Sequence, residues 1–336
     1  MIRAYAAAEA GAKLERFEYD PGALAPDGVE IDVTACGVCH SDLSMLNNDW
    51  GMTTFPFVPG HEVIGTVAAV GDQVTNVSPG QTVGLGWISG SCMACTQCLS
   101  GNHNLCSGNE STIVGRHGGF ADKVRCSAAW AIPLPDGVDA KKAGPLFCGG
   151  LTVFNPLVQF DVKPTDRVGV IGIGGLGHFA LQFCNKWGCE VTAFTSTAAK
   201  ADEARSMGAH HIVNSRDADE LDAIAGSLDF IISTVNVELE WDRYLAALAP
   251  RGRFHVVGAV AQPIPVSAFS LLMSQKSVSG SPVGSPVVTA QMLDFCARHG
   301  IEAVTEHFPL SEANAAMEHL HAGKARYRIV LENDFA

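Results

Sequence analysis

Cys92, Cys95, Cys98 and Cys106 lie within fifteen residues, spaced C-x2-C-x2-C-x7-C. Four thiols so spaced can wrap one tetrahedral ion, and Zn²⁺ held by four thiolates is a closed site with no open position for chemistry. The competing explanation is a pair of disulfides. The first residues, MIRAYAAAEAGAKLERFEYD, hold no apolar run long enough for a signal-peptide core, and no stretch of the chain looks able to span a bilayer. The expectation is therefore a cytoplasmic protein, and in a reducing compartment a dense cysteine cluster reads as a metal site.

A second set of possible ligands is dispersed. Cys36-Gly-Val-Cys39-His40-Ser41-Asp42 offers two thiols, an imidazole, a hydroxyl and a carboxylate, Pro59-Gly60-His61-Glu62 follows, and Cys148 stands far downstream. Each has an ordinary structural explanation, because a buried free cysteine is a small core residue, and spacing alone does not group them.

The third constellation is Gly172-Ile173-Gly174-Gly175-Leu176-Gly177, between the apolar run Val168–Ile171 and the amphipathic stretch Leu176–Trp187. In a strand–turn–helix setting the first glycine makes the turn, the second admits a pyrophosphate, and the third lets helix and strand pack closely. The next predicted strand, Glu190–Phe194, says which nucleotide. A site for NAD carries an acid near its end for the adenosine ribose, whereas Thr195, Ser196, Thr197 and Lys200 stand here. A carboxylate beside a 2′-phosphate would repel it by up to about 4 kcal/mol at an effective dielectric of 20. Hydroxyls with a lysine reverse that preference, so the cofactor expected is NADP(H). The alternative is that Ser196 and Thr197 only cap the next helix.

The elements that must position these residues are of two kinds. Residues 1–150 read as short strands divided by Gly and Pro (Val29–Ala35, Val63–Val70, Gln81–Trp87, Ala121–Val124), an irregular and mostly antiparallel β-domain. From about residue 165 strands and helices alternate: helices at Lys200–Met207 and Trp241–Ala249 separate strands at Ile212–Val213, Asp229–Ser233 and Arg253–Val257, the pattern of a doubly wound parallel sheet. After Pro286 two helices (Val287–His299, Ser311–His321) and a last strand (Tyr327–Leu331) break the alternation. The division expected is 1–150 with a metal lobe at about 90–108, 151–285, and a return to the first domain over 286–336. At 336 residues, 47% hydrophobic and 17% charged, the chain is globular and long enough for two domains. Its net charge of −13, with no basic patch, argues against nucleic acid and anionic membranes as partners.

CGVCHSD at Cys36–Asp42, GHExxG at Gly60–Gly65, the four-cysteine lobe and the GIGGLG turn occur in the order seen in zinc-dependent medium-chain alcohol dehydrogenases. The chain resembles that family from about residue 25 onward, nearest its cinnamyl alcohol dehydrogenase and bacterial aldehyde reductase branch. The resemblance implies an α/β protein with a GroES-like, mostly β catalytic domain and a Rossmann NADP-binding domain. It implies two zincs per chain: a structural one on Cys92, Cys95, Cys98 and Cys106, and a catalytic one on Cys39, His61 and Cys148, with Glu62 as an occasional ligand. It further implies that Asp42 holds His61, that Ser41 touches the substrate oxygen, and that His40 and Arg328 lie near the coenzyme pyrophosphate. For Arg328 the plain alternative is a surface cation on the last strand. Many relatives finish the proton relay with a histidine where this chain has Ser44, and serine is no base near neutral pH, so the relay must end in water, His40 or elsewhere.

By family position the substrate pocket comprises Trp50, Met52, Phe55, Trp87 and part of Val283–Pro286, which suits aromatic or medium-length aliphatic aldehydes and their alcohols. Two rival readings predict a different set of residues. A zinc-free quinone or enoyl reductase on the same fold should have lost the metal ligands, and a non-catalytic zinc- and NADPH-binding redox sensor should have lost part of the catalytic set; all are retained. The edge strand Val278–Ser281 invites pairing with a second copy, so a homodimer is expected.

Overall fold

The computed structural model describes residues 1–196 and 200–335. It divides into two compact units, Met1–Leu151 with Val283–Ala336, and Thr152–Pro282. The first unit is built on a seven-stranded sheet ordered Thr305–Pro309, Arg328–Glu332, Gly28–Val38, Val63–Val70, Thr82–Leu85, Ile132–Pro133, with Lys123–Ser127 also pairing on Gly28–Val38. All pairs are antiparallel except the first, where Thr305–Pro309 and Arg328–Glu332 run parallel. Gly28–Val38 alternates toward its start, with Asp32 and Thr34 exposed between buried Ile31, Val33 and Ala35, and is buried on both faces from Ala35 to Val38. That change marks where the sheet stops facing water and begins to support a site. Its core gathers Ile31, Val63, Phe57, Phe120 and Met45 with Met317 and Leu320 from the C-terminal helix Ala313–His321.

The second unit is a six-stranded, all-parallel sheet in the order His211–Asn214, Glu190–Thr195, Arg167–Ile171, Leu228–Ser233, Leu248–Val256, Ser277–Gly280. Numbered along the chain this is 3-2-1-4-5-6, whose order reverses beside the first strand, where such sheets bind dinucleotides. Val168, Val170, Ile171, Ile231 and Ile232 are fully or nearly fully buried, as strands covered on both faces must be. The helix Gly177–Trp187 follows the first strand and ends on Gly188 in the left-handed conformation (φ 105°).

Several boundaries differ from the sequence reading. The helix expected to reach Ala249 stops at Ala247, because Leu248 and Ala249 already belong to the next strand. The strand expected over Gln81–Trp87 is confined to Thr82–Leu85, and that over Ala121–Val124 lies at Lys123–Ser127. Pairing partners, not local propensity, set these ends. Among the described residues no helix is long and apolar enough to cross a membrane.

Candidate active site

Antiparallel register brings the dispersed ligands to one end of the first sheet. Cys36 pairs with Val63 and Val38 with Ile329. Continuing one residue past Val38, the chain therefore sets Cys39 near His61 and Glu62, which precede Val63, and near Arg328, which starts the last strand.

Cys39 caps the helix His40–Asn47, and Asp42 in its first turn ties the corner together. The Asp42 carboxylate accepts hydrogen bonds from the backbone N–H groups of Cys39 and Gly60, each at 2.9 Å, and lies 3.0 Å from His61 Nδ1. Asp42 and His61 are both fully buried, so these three donors offset the cost of removing the carboxylate from water. With Nδ1 directed at Asp42, Nε2 of His61 is left facing the thiols, 3.3 Å from Cys148 Sγ, and the two sulfurs of Cys39 and Cys148 stand 3.9 Å apart. Around a tetrahedral zinc with Zn–S near 2.3 Å, two sulfurs sit roughly 3.8 Å apart and a sulfur and an imidazole nitrogen roughly 3.6 Å. The donor set therefore fits the ion in kind and in spacing.

Cys148 arrives by a separate route, after the tight turn Gly144–Phe147. Gly144 lies against the Glu62 carbonyl, where an added Cβ would come within 2.6 Å of the oxygen, and the Phe147 ring fills the space beside Gly84. Glu62 is also fully buried, and its carboxylate occupies the volume that a side chain at Gly37 would need. Arg328 forms an ion pair with it. Arg328 is only 4% exposed, so it is not a surface cation. Burial pushes the Glu62 carboxyl up, and the Arg328 charge opposes that rise. Among the described residues, one Glu62 oxygen, Oε2, and Arg328 Nε have no hydrogen-bond partner. One ligand atom from each of Cys39, His61, Glu62 and Cys148 lies within 4.8 Å of the others.

A hydrogen bond joins the two thiols. The hydrogen bond between them holds Cys39 well below the ordinary thiol range and Cys148 well above it. His61 is held well above the ordinary imidazole range: burial opposes protonation, but the charge and hydrogen bond of Asp42 outweigh it. Metal binding must displace these protons. Beside the ligands, Ser41 Oγ lies 3.8 Å from Cys39 Sγ, Ser41 and Ser44 are half-buried, and His40 is exposed.

The four-cysteine lobe is closed at its base by the pairing of Ile88–Gly90 with Glu110–Ser111. Cys92 Sγ stands 3.9 Å from Cys98 Sγ and 3.4 Å from Cys106 Sγ, and all four sulfurs lie within 4.8 Å of one another. Backbone N–H groups of Ala94 and Cys95 draw the Cys92 thiol down to about 6, while burial pushes Cys98 up to about 11. Four sulfurs with no further donor among them fit a closed tetrahedral zinc.

In the second unit Gly172 adopts φ 86°, and a side chain at Gly177 would overlap the Gly172 carbonyl. Among the described residues an added Cβ at Gly174 would meet nothing within 4 Å, which leaves room for a ligand to approach the backbone. Gly175 continues the turn and Leu176 caps the helix. Thr195 is buried at the strand end, Ser196 is exposed beside it, and Lys200 Nζ donates to the Ile173 carbonyl at 3.3 Å, inside the glycine turn. Thr197 lies outside the described residues.

A cavity in the first unit is lined by Trp87, Trp130, Phe147, Val283, Gly284 and Thr289 among others. Trp87 meets His61 edge-on at 4.9 Å and Trp50 meets Trp87 at 6.1 Å, which joins the cavity to the ligand cluster. Phe55 is half-buried and packs edge-on against Phe57 beside the core, and Met52 is 45% exposed.

The family model of the alcohol dehydrogenase GroES-like domain matches residues 25–136, and that of the zinc-binding dehydrogenases matches residues 175–298. The chain is 57% identical over 333 residues to aldehyde reductase AdhA of a Synechocystis species, covering 99% of both chains. Its structure superposes on a cinnamyl alcohol dehydrogenase from Sorghum bicolor with a TM-score of 0.94 at 36% identity, covering 98% of this chain and 97% of the other. The chain belongs to the zinc-dependent medium-chain alcohol dehydrogenase family. A CAD from Helicobacter pylori solved in complex with NADP(H) gives a TM-score of 0.90 at 28% identity, covering 98% of this chain and 97% of the other. This alcohol dehydrogenase thus joins a GroES-like unit to a Rossmann unit, and is an oxidoreductase of the alcohol dehydrogenase and aldehyde reductase class that uses zinc and a nicotinamide coenzyme.

Three features of the site escaped the sequence reading: the Glu62–Arg328 pair, the space kept by Gly37 and Gly144, and the contribution of Trp130, Phe147 and Thr289 to the cavity. The CGVC motif carried a signal for Gly37. The other contacts join residues far apart in sequence with no spacing to announce them.

Proposed function

We propose that this alcohol dehydrogenase acts mainly as an NADPH-dependent reductase of aromatic and medium-length aliphatic aldehydes. The observation that carries this reading is the convergence of Cys39, His61 and Cys148 next to the apolar cavity edged by Trp87. When bound, zinc supplies Lewis acidity toward a carbonyl oxygen and the dihydronicotinamide supplies a hydride. Cys39, Cys148 and His61 would hold that ion through two thiolates and one imidazole, the kind of donor set found in catalytic zinc sites. Asp42 fixes the tautomer of His61 and raises its basicity. Ser41 Oγ hands its proton to the oxygen of the product and is reprotonated from the solvent side, where His40 is exposed. Ser44 cannot serve as the base. Glu62, held by Arg328, stands ready as a replacement ligand.

Coenzyme preference rests on Ser196 and Lys200 at the end of the second strand, where no acid stands, and on the neighbour solved with NADP(H). The four-cysteine lobe holds a second, structural zinc. The edge strand Ser277–Gly280, with exposed Phe269, Leu272 and Met273 just before it, pairs with a second copy to form a cytoplasmic homodimer. The deciding experiment is an assay of NADPH and NADH against a panel of aldehydes. Reduction of benzaldehyde with NADPH well ahead of NADH is the expected result; equal efficiency with NADH would overturn the coenzyme reading, and no aldehyde reduction would overturn the activity.

A further inference from the structure

The four-cysteine lobe makes a contact that its metal does not require. In the turn His103–Leu105, Asn104 Nδ2 donates a 2.8 Å hydrogen bond to the Val283 carbonyl, 179 residues away. Val283 and Gly284 form one wall of the cavity that Trp87 and Trp130 also line. That wall belongs to no regular element: the strand before it ends at Gly280 and the helix after it begins at Pro286. On the helix side the segment is held by Ser285, whose carbonyl accepts from the Thr289 hydroxyl and N–H at 2.9 Å. The lobe secures its other side, through Asn104.

The turn that carries Asn104 is itself well fixed. Leu105 N–H donates to Asn102 at 2.9 Å, Cys106 N–H to His103 at 3.1 Å, and Asn102 N–H reaches back to Gln97 at 2.8 Å. Cys106, two residues on, is 1% exposed and is one of the four clustered thiols. The Asn104 amide is thus placed by the geometry of the cluster.

We propose that Asn104 is a positioning residue, through which the four-cysteine lobe holds the Val283–Gly284 wall and so sets which aldehydes the cavity accepts. The inference rests on reading that cavity as the substrate pocket. A loop carbonyl that loses its donor lets the wall move. A long aromatic substrate touches the wall and a two-carbon one does not, so the effect falls on the KM of bulky aldehydes.

The test compares Asn104→Ala and Asn104→Asp, the latter keeping the shape but not the donor, with the unaltered enzyme. KM for cinnamaldehyde should rise roughly two- to tenfold in both variants, the size expected for one neutral hydrogen bond, while KM for acetaldehyde stays within twofold. The dissociation constant of benzamide, an unreactive aromatic probe followed by the emission to which Trp87 and Trp130 contribute, should rise by the same factor. Zinc content and melting temperature should match the unaltered enzyme. Equal KM shifts for both aldehydes, or loss of lobe zinc with unchanged selectivity, would overturn the positioning role. Failure of the unaltered enzyme to reduce either aldehyde would overturn the proposed function instead, and benzamide affinity would still decide the role of Asn104: an unchanged value in both variants refutes it, and a weakened one supports it.

Discussion

Asp42 is the residue on which the ligand cluster turns. One carboxylate fixes the backbone at Cys39, the backbone at Gly60 and the ring of His61, so it sets two ligands at once. Asp42→Asn keeps the shape but removes the charge, and its amide cannot accept on both sides; zinc affinity at the Cys39 site should fall roughly 10- to 100-fold, measured by competition with a chelator. Gly37 plays the complementary part by leaving volume empty. Gly37→Ala places a methyl where the Glu62 carboxylate lies, and should displace Glu62 from Arg328. A buried pair broken this way leaves an uncompensated charge, so about 3 kcal/mol or more of stability should be lost in urea titration. An unchanged midpoint would mean that Glu62 is free to move aside.

At the scale of elements, the two cysteine clusters are built differently and should fail differently. The Cys39 cluster is assembled from strand ends and a turn already fixed by the sheet, with Asp42, Phe147 and Gly144 supporting it independently of metal. The lobe has only a short two-strand base, one brief helix and a turn, so its sulfurs are its core. Cys148→Ser should therefore lose one zinc and the activity while melting close to the unaltered protein. Cys98→Ser should lower the melting temperature first, with proteolysis beginning within residues 90–108. Similar melting temperatures for the two variants would contradict this assignment.

At the scale of the whole molecule, stability should depend on pH through His255. It is fully buried in the parallel sheet, with Ser279 Oγ at 2.9 Å and Ser281 Oγ at 3.0 Å from its two ring nitrogens and the rings of Phe160 and Phe230 close by. Burial, helped by the charge of Arg253, lowers its pKa from 6.5 to about 4. The folded chain binds fewer protons here than the unfolded one. The stabilisation is complete above about pH 6.5, declines as the pH falls, and is exhausted by about pH 4; it amounts to about 3 kcal/mol. Urea midpoints at pH 7.5 and 5.0 should differ less in His255→Gln than in the unaltered protein. Because His255 bonds the edge strand Ser277–Gly280 and the residue just past it, the same loss should appear as earlier amide exchange along that strand.

Much of this protein was legible in its sequence because the relevant information is local. The glycine turn, the absence of an acid after the second strand and the tight spacing of Cys92, Cys95, Cys98 and Cys106 are short-range patterns whose chemistry follows from geometry within a few residues. The alternation of strand and helix after residue 165 is equally local. Tertiary structure decided what depends on register and on close approach. Antiparallel pairing of Cys36 with Val63 and of Val38 with Ile329 carries Cys39, His61, Glu62 and Arg328 to one corner, and a turn pressed on the Glu62 carbonyl delivers Cys148. Periodicity can announce a strand but not its partner, and pairing across the chain is where the ligand set was made.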